Sequence, residues 1–217
     1  LIFLAILPGA VLTTFLYIND KHEKEAHRAL LKAFGYGILS IIPAVAIGLP
    51  LGDHGAFFNA FISAGLLEEC SKFLFLRWIF YKKPYFNEPY DGIIYAAFIS
   101  LGFATLENVL YVVEGGLSVA LLRMFMSVPG HAIFGVFMGY YAGLAKFNPK
   151  KERKLLLTGL GLAILTHGTY NFFLMWNDSA LWFLSVFIII AGLIYAKKAI
   201  DLHNQRSPFK GKTKKLR

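Results

Sequence analysis

Residues 56–80 read Ala56-Phe-Phe-Asn-Ala60-Phe-Ile-Ser-Ala64-Gly-Leu-Leu-Glu68-Glu69-Cys70-Ser71-Lys72-Phe-Leu-Phe-Leu-Arg77-Trp-Ile-Phe80. The stretch exceeds the roughly 20 residues that carry a helix across the hydrocarbon core of a bilayer. Yet two carboxylates and an ammonium sit in its middle. Ala60, Ala64, Glu68 and Lys72 recur every fourth position and so share one helix face. An ionised side chain at mid-bilayer costs about 2.5–3.5 kcal/mol even on lenient insertion scales. A helix of this kind belongs inside a bundle whose other members bring partners for its charges.

The rest of the chain supplies that bundle. Of its 217 residues 57% are hydrophobic and 16% charged, against about 25% charged in soluble domains, and the mean hydropathy is +0.56. Seven apolar segments stand out: 1–18, 31–50, 56–80, 92–113, 117–145, 154–175 and 180–197. The fifth is long, and Pro129-Gly130 marks where it tilts or breaks. The first contains Pro8-Gly9 and no cleavage signature, and reads as a spanning helix rather than a signal peptide. The expected fold is an all-α polytopic transmembrane bundle of about seven spans.

Loop charge orients it. The first loop carries Lys21, Lys24, Arg28 and Lys32; the third Arg77, Lys82 and Lys83; the fifth Lys146, Lys150, Lys151, Arg153 and Lys154. The connections at 51–55, 114–116 and 176–179 contain no Lys or Arg. Basic loops face the cytoplasm, so the N-terminus is expected outside and the C-terminus inside. Residues 1–200 then form one transmembrane domain and 201–217 a basic cytoplasmic tail. The net charge of +9 follows from topology and contact with the bilayer, and no nucleic-acid partner is expected. The single Cys70 excludes an intrachain disulfide.

Other segments repeat the pattern of small residues leading to a polar one. Ala96, Ser100 and Ala104 lead to Asn108, beside Glu107; His131 is followed by Gly135, Gly139 and Gly143; Gly159 and Ala163 lead to His167 and Asn171. Small residues let helices approach closely, so these faces are expected to converge. At 1.5 Å per residue Glu68, Glu107 and His167 lie about 18, 9 and 12 Å from the outer ends of their segments. Taken singly, Glu68–Lys72 is an ion pair, His131 a packing histidine, His167–Asn171 interhelical glue and Asn108 structural. Together, three carboxylates and two histidines exceed what packing needs.

Competing motifs are weaker. His22-Glu-Lys-Glu-Ala-His27 spaces its histidines at i,i+5, whereas a zinc-protease box needs i,i+4. No G-x-S-x-G occurs, and Asp91 lacks an aspartyl partner. The Glu/His set suits hydrolysis of a peptide bond: a glutamate in a low-dielectric site as base and then acid, with His167 and Asn171 as oxyanion donors. The same residue types also suit a zinc site, a proton- or ion-coupled transporter, or, more poorly, a non-catalytic scaffold.

Four ordered motifs carry a resemblance. Glu68-Glu69-Cys70-Ser71-Lys72, Phe103-Ala-Thr-Leu-Glu107-Asn108, His131-Ala-Ile-Phe-Gly135 and His167-Gly-Thr-Tyr-Asn171 are similar to the EExxK, FxxxEN, HxxxG and HxxxN/D motifs of PrsW-type intramembrane proteases. The stretch from Tyr90-Asp91-Gly92 to Glu107-Asn108 is especially close to the PrsW proteins of Bacillus. The resemblance implies an enzyme of the bacterial plasma membrane. It would make the first, extracytoplasmic cut in a single-pass anti-sigma factor, which leads to release of an extracytoplasmic-function sigma factor. The wider superfamily holds the CAAX prenyl endopeptidases and abortive-infection proteins, understood as glutamate proteases. By that likeness Glu68 activates water, Glu69 and Lys72 support it, His167 and Asn171 form the oxyanion hole, Asn108 supports the site, and no cofactor or metal is needed. The prenyl endopeptidases have FxxxH where this chain has Phe103…Glu107, so the second water-holding group is either Glu107 or His131.

Overall fold

Prolines and glycines set where these apolar helices stop and how closely they pack. In the computed structural model, which describes residues 1–176 and 181–211, every regular element is helical. Helix α1 spans Ile2–Asn19, α2 His27–Leu39 and α3 Ile41–Leu51. The α2–α3 break falls at Ser40 because Pro43 has no N–H for the Leu39 carbonyl. Beside the break the Ser71 hydroxyl donates to the Ser40 carbonyl at 2.5 Å.

Residues 56–80 form one continuous helical rod, but not a uniform one. It comprises α4 (Ala56–Phe58), a wide-turned π segment Asn59–Glu68, α5 (Glu69–Phe75) and a second π segment Leu76–Phe80. The expected small face holds, since Ala60 and Ala64 are buried. The wide turns end at Glu68, and π turns inside helices recur at functional sites.

Helix α6 runs Pro89–Phe125. Glu88 and Asp91 cap it reciprocally, and Pro89 occupies its first turn, where a missing N–H is harmless. The chain reverses at Gly116, whose φ of 71° is one that side chains rarely adopt. Helix α7 is Ser127–Lys146, α8 Glu152–Met175 and α9 Trp182–Gln205. The break in the expected fifth segment lies at Met126, three residues before Pro129-Gly130 and so close to the expected place. Pro129 falls in the first turn of α7, where no intrahelical donor is lost.

Four stretches among the described residues are long and apolar enough to cross a membrane: Ile2–Asn19, His27–Leu51, Pro89–Lys146 and Trp182–Gln205. The chain is a membrane protein of several apolar helices. The rod 56–80 and α8 are less apolar because they carry the ionisable residues, and Pro89–Lys146 holds both the fourth and the fifth expected segments. The connection expected at 176–179 lies outside the described residues from 177 on, and so does the tail at 212–217. Helix α9 continues through 201–205.

Helices α6 and α7 form the centre. A Cβ on Gly92 would collide with the Gly139 carbonyl, and one on Gly143 with the Pro89 carbonyl. The glycine stripe of α7 thus lets two backbones touch, as small-residue faces do in membranes. Replacing Gly139 by Val should force the helices apart and lower stability by about 1–3 kcal/mol, the usual cost of overpacking. Thermal unfolding in detergent would read it as a lowered midpoint, and an unchanged midpoint would contradict the contact.

Candidate functional site

The rod 56–80 brings Glu68, Glu69 and Lys72, α6 brings Phe103, Glu107 and Asn108, α7 brings His131, and α8 brings His167. They meet around the Lys72 ammonium, which is buried. An ammonium has three hydrogens to give. It gives them to Glu69 Oε1 at 2.9 Å, Glu68 Oε2 at 3.3 Å and His131 Nδ1 at 3.1 Å. The Phe103 ring covers it, 3.9 Å from its centroid. Burying opposite charges together in this way limits the desolvation cost that each would meet alone.

The bonds fix the histidines. Lys72 only donates, so His131 Nδ1 accepts, and its Nε2–H donates to Glu107 Oε2 at 2.9 Å. The Ser100 hydroxyl anchors the His131 carbonyl at 2.6 Å. His167 stacks on Phe134 with centroids 4.6 Å apart. Its Nδ1–H donates to Glu69 Oε1 at 2.9 Å. Glu69 Oε2 is buried without a donor.

A second layer holds Glu107. Arg123, from the part of α6 beyond Gly116, donates to Glu107 Oε2 at 2.8 Å and to Asn108 Oδ1 at 2.9 Å. Asn108 ties α6 to α1 through the Ala5 carbonyl at 2.8 Å. Sequence reasoning missed Arg123. The signal that exposed the carboxylates, a charge within an apolar segment, marks it equally.

The carboxylates differ in access. Glu69 is fully enclosed, while the Glu68 and Glu107 side chains keep 15% and 19% exposure. Both line an open cleft of about 360 Å³, whose other walls are apolar residues of α3 and α6 such as Val45, Leu49, Phe103 and Leu110. Asn171 follows His167 by one turn and is half-buried. It makes no hydrogen bond to the cluster among the described residues.

A family model described as "PrsW family intramembrane metalloprotease" matches residues 25–196. The chain belongs to the PrsW family. It is 38% identical over 202 residues to "Protease PrsW" of Bacillus subtilis, covering 89% of this chain and 93% of the relative. It is 37% identical over 193 residues to that of Geobacillus kaustophilus, covering 87% and 86%. With that of Clostridioides difficile it shares 35% identity over 204 residues, covering 88% and 86%. No solved structure matches. This PrsW-family protein is therefore an intramembrane protease, a peptide hydrolase of the membrane.

The family description raises a metal. Glu68, Glu69, His131 and His167 each offer a ligand atom within 4.8 Å of the others, a donor set of the right chemistry for zinc. However, three of the four direct a lone pair at Lys72, and the remaining nitrogen of His131 is committed to Glu107. The ammonium therefore competes with a metal for this donor set, and among the described residues only Glu68 Oε1, Glu69 Oε2 and His167 Nε2 are left uncommitted. Lys72→Met should strand the two carboxylates at a cost of about 3–5 kcal/mol. Pairing it with Glu69→Gln should restore part of the loss, as read by thermal unfolding in detergent. Full additivity of the two changes would contradict the shared charge.

Proposed function

We propose that this chain is a glutamate-dependent intramembrane endopeptidase of the bacterial plasma membrane. It crosses that membrane about seven times, with its N-terminus outside and its C-terminus in the cytoplasm. Its substrate is a single-pass anti-sigma factor, in which it makes the first, extracytoplasmic cut. The observation that carries the reading is the placement of Glu68, the carboxylate that is at once bonded to Lys72 and open to the apolar cleft. Such a cleft suits an unwound stretch of a transmembrane substrate.

The chemistry follows from the donors available. Glu68 takes a proton from a water in the cleft, and the water oxygen bonds to the scissile carbonyl carbon. The carbonyl becomes an oxyanion, held by donors from the His167 and Asn171 side of the cluster. Nδ1–H of His167 already serves Glu69, so the nitrogen it turns toward the oxyanion is Nε2. Glu68 then returns its proton to the departing amine as the C–N bond breaks. Glu107 is the second water-holding group, since it reaches the cleft while His131 is enclosed behind it. Lys72 and Asn108 support the arrangement, and no cofactor takes part.

The test is cleavage of a tagged single-pass anti-sigma factor by purified protein in detergent. Glu68→Gln should lower the rate by at least about 100-fold without changing the folded state. Wild-type activity should survive a chelator. Activity lost on chelation and restored by zinc would replace the glutamate mechanism with a metal one. Cleavage by Glu68→Gln at the wild-type rate would remove Glu68 from the reaction.

A further inference from the structure

A second group of carboxylates lies at the opposite end of the bundle from the cleft mouth, where the first loop, the start of α6 and the end of α9 meet. Glu23, Glu25 and Asp91 each offer an oxygen within 4.8 Å of the others. Asp20 and Glu88 border them, and all except Glu23 are buried. Each of the five keeps one buried oxygen that no amide, hydroxyl or ammonium donor reaches: Asp20 Oδ1, Glu23 Oε2, Glu25 Oε1, Glu88 Oε1 and Asp91 Oδ1; the Asp20 and Glu88 carboxyls also meet each other. The second oxygen of several is committed to the protein. Glu25 receives the Tyr95 hydroxyl, Glu88 the Ser207 hydroxyl, and Asp91 the Asn87 and Glu88 amides at 2.6 and 2.7 Å.

No Lys or Arg pairs with any of the five among the described residues. Lys24 gives its ammonium to the Tyr17 and Ile18 carbonyls, and Lys146 to that of Tyr81. An uncharged side chain makes the same omission. Asn204 of α9 is 5% exposed and donates to the Asn19 carbonyl beside Asp20 at 3.0 Å, yet its own Oδ1 is buried without a donor. Buried carboxylates without partners are expensive. Here they are concentrated, all oxygen, and oriented by hydrogen bonds on their other atoms.

We infer that this cluster binds a hard divalent cation of the Ca²⁺ or Mg²⁺ class, held by Glu23, Glu25 and Asp91 with Asp20, Glu88 and Asn204 around them. Such ions take six or more oxygen ligands, and two oxygens on opposite sides of Ca²⁺ stand about 4.6–5.2 Å apart, a span that accommodates the carboxylate separations here. The ion fastens the loop between α1 and α2 to the cap of α6 and to α9. Its structural effect reaches the catalytic helix α6 at its first turn, far along the helix from Glu107. A proton is the other means of relieving the repulsion. Burial pushes the Asp20 and Glu25 carboxyls up to about 7, so the experiment must separate ion from proton.

The experiment uses the whole chain in detergent, stripped with a chelator and exchanged at neutral pH. Ca²⁺ and Mg²⁺ are then added separately, with equilibrium dialysis and thermal unfolding as readouts. Saturable binding of one ion per chain is expected, with a midpoint about 5–10 °C higher at saturation. Glu23→Gln, at the half-buried rim, should weaken binding at least about tenfold, and Asp91→Asn should do the same. Should Asp91→Asn fail to fold, Glu23→Gln decides alone. Absence of saturable binding to folded wild type at millimolar ion, or equal binding by Glu23→Gln, overturns the site and leaves shared protons as the account. Both readouts are independent of proteolysis, so they hold or fail apart from the proposed catalytic role.

Discussion

The structure is organised by the difficulty of keeping an ammonium inside a low-dielectric bundle. Lys72 has three hydrogens and finds three acceptors, from its own helix and from α7. Removing a carboxylate disturbs the balance of buried charge, and removing His131 leaves an ammonium hydrogen without an acceptor; either is costlier than the intact contact is favourable. The constraint propagates. Glu69, held by Lys72, orients His167 on α8; His131, held by Lys72, orients Glu107 on α6; Arg123 then balances Glu107. One charge thereby fixes the mutual rotation of four helices.

Close approach of those helices is the condition for this network. Bonds of 2.9–3.1 Å between side chains on separate helices require the backbones to pack without bulky spacers. The stripes of Gly, Ala and Ser supply that. Gly92 against Gly139 and Pro89 against Gly143 bring α6 and α7 into backbone contact at one end, and Ser100 ties them beside His131. Packing and chemistry are consequently written on the same helix faces.

The two polar clusters are opposites. In the first, three carboxylates, an ammonium, a guanidinium and two histidines nearly satisfy one another, and the deficit is a single Glu69 oxygen. In the second, five carboxylates stand together with no Lys or Arg paired to them among the described residues. A cluster that pairs its charges and opens on an apolar cleft suits proton transfer to and from water. An un-neutralised one at a junction of loops suits an ion from outside.

The sequence by itself determined the helical class, the apolar segments and the set of ionisable residues that had to meet. Each of these depends on local composition and on four-residue periodicity, which a helix converts directly into faces. The burial of Ala60, Ala64, Ala96, Ala104 and Ala163 follows from that conversion, as does the meeting of Glu68, Glu69, Glu107, His131 and His167. The tertiary structure decided what periodicity cannot express. It placed the break at Met126, because the effect of Pro129 depends on its position within the turn, and it widened the turns before Glu68. It recruited Arg123 through the reversal at Gly116, gave Glu68 and Glu107 the cleft while enclosing Glu69, and assembled Asp20, Glu25, Glu88 and Asp91 from loops distant in sequence. Those outcomes depend on distances between segments, which are set by how whole helices pack and are not encoded in the spacing within any one of them.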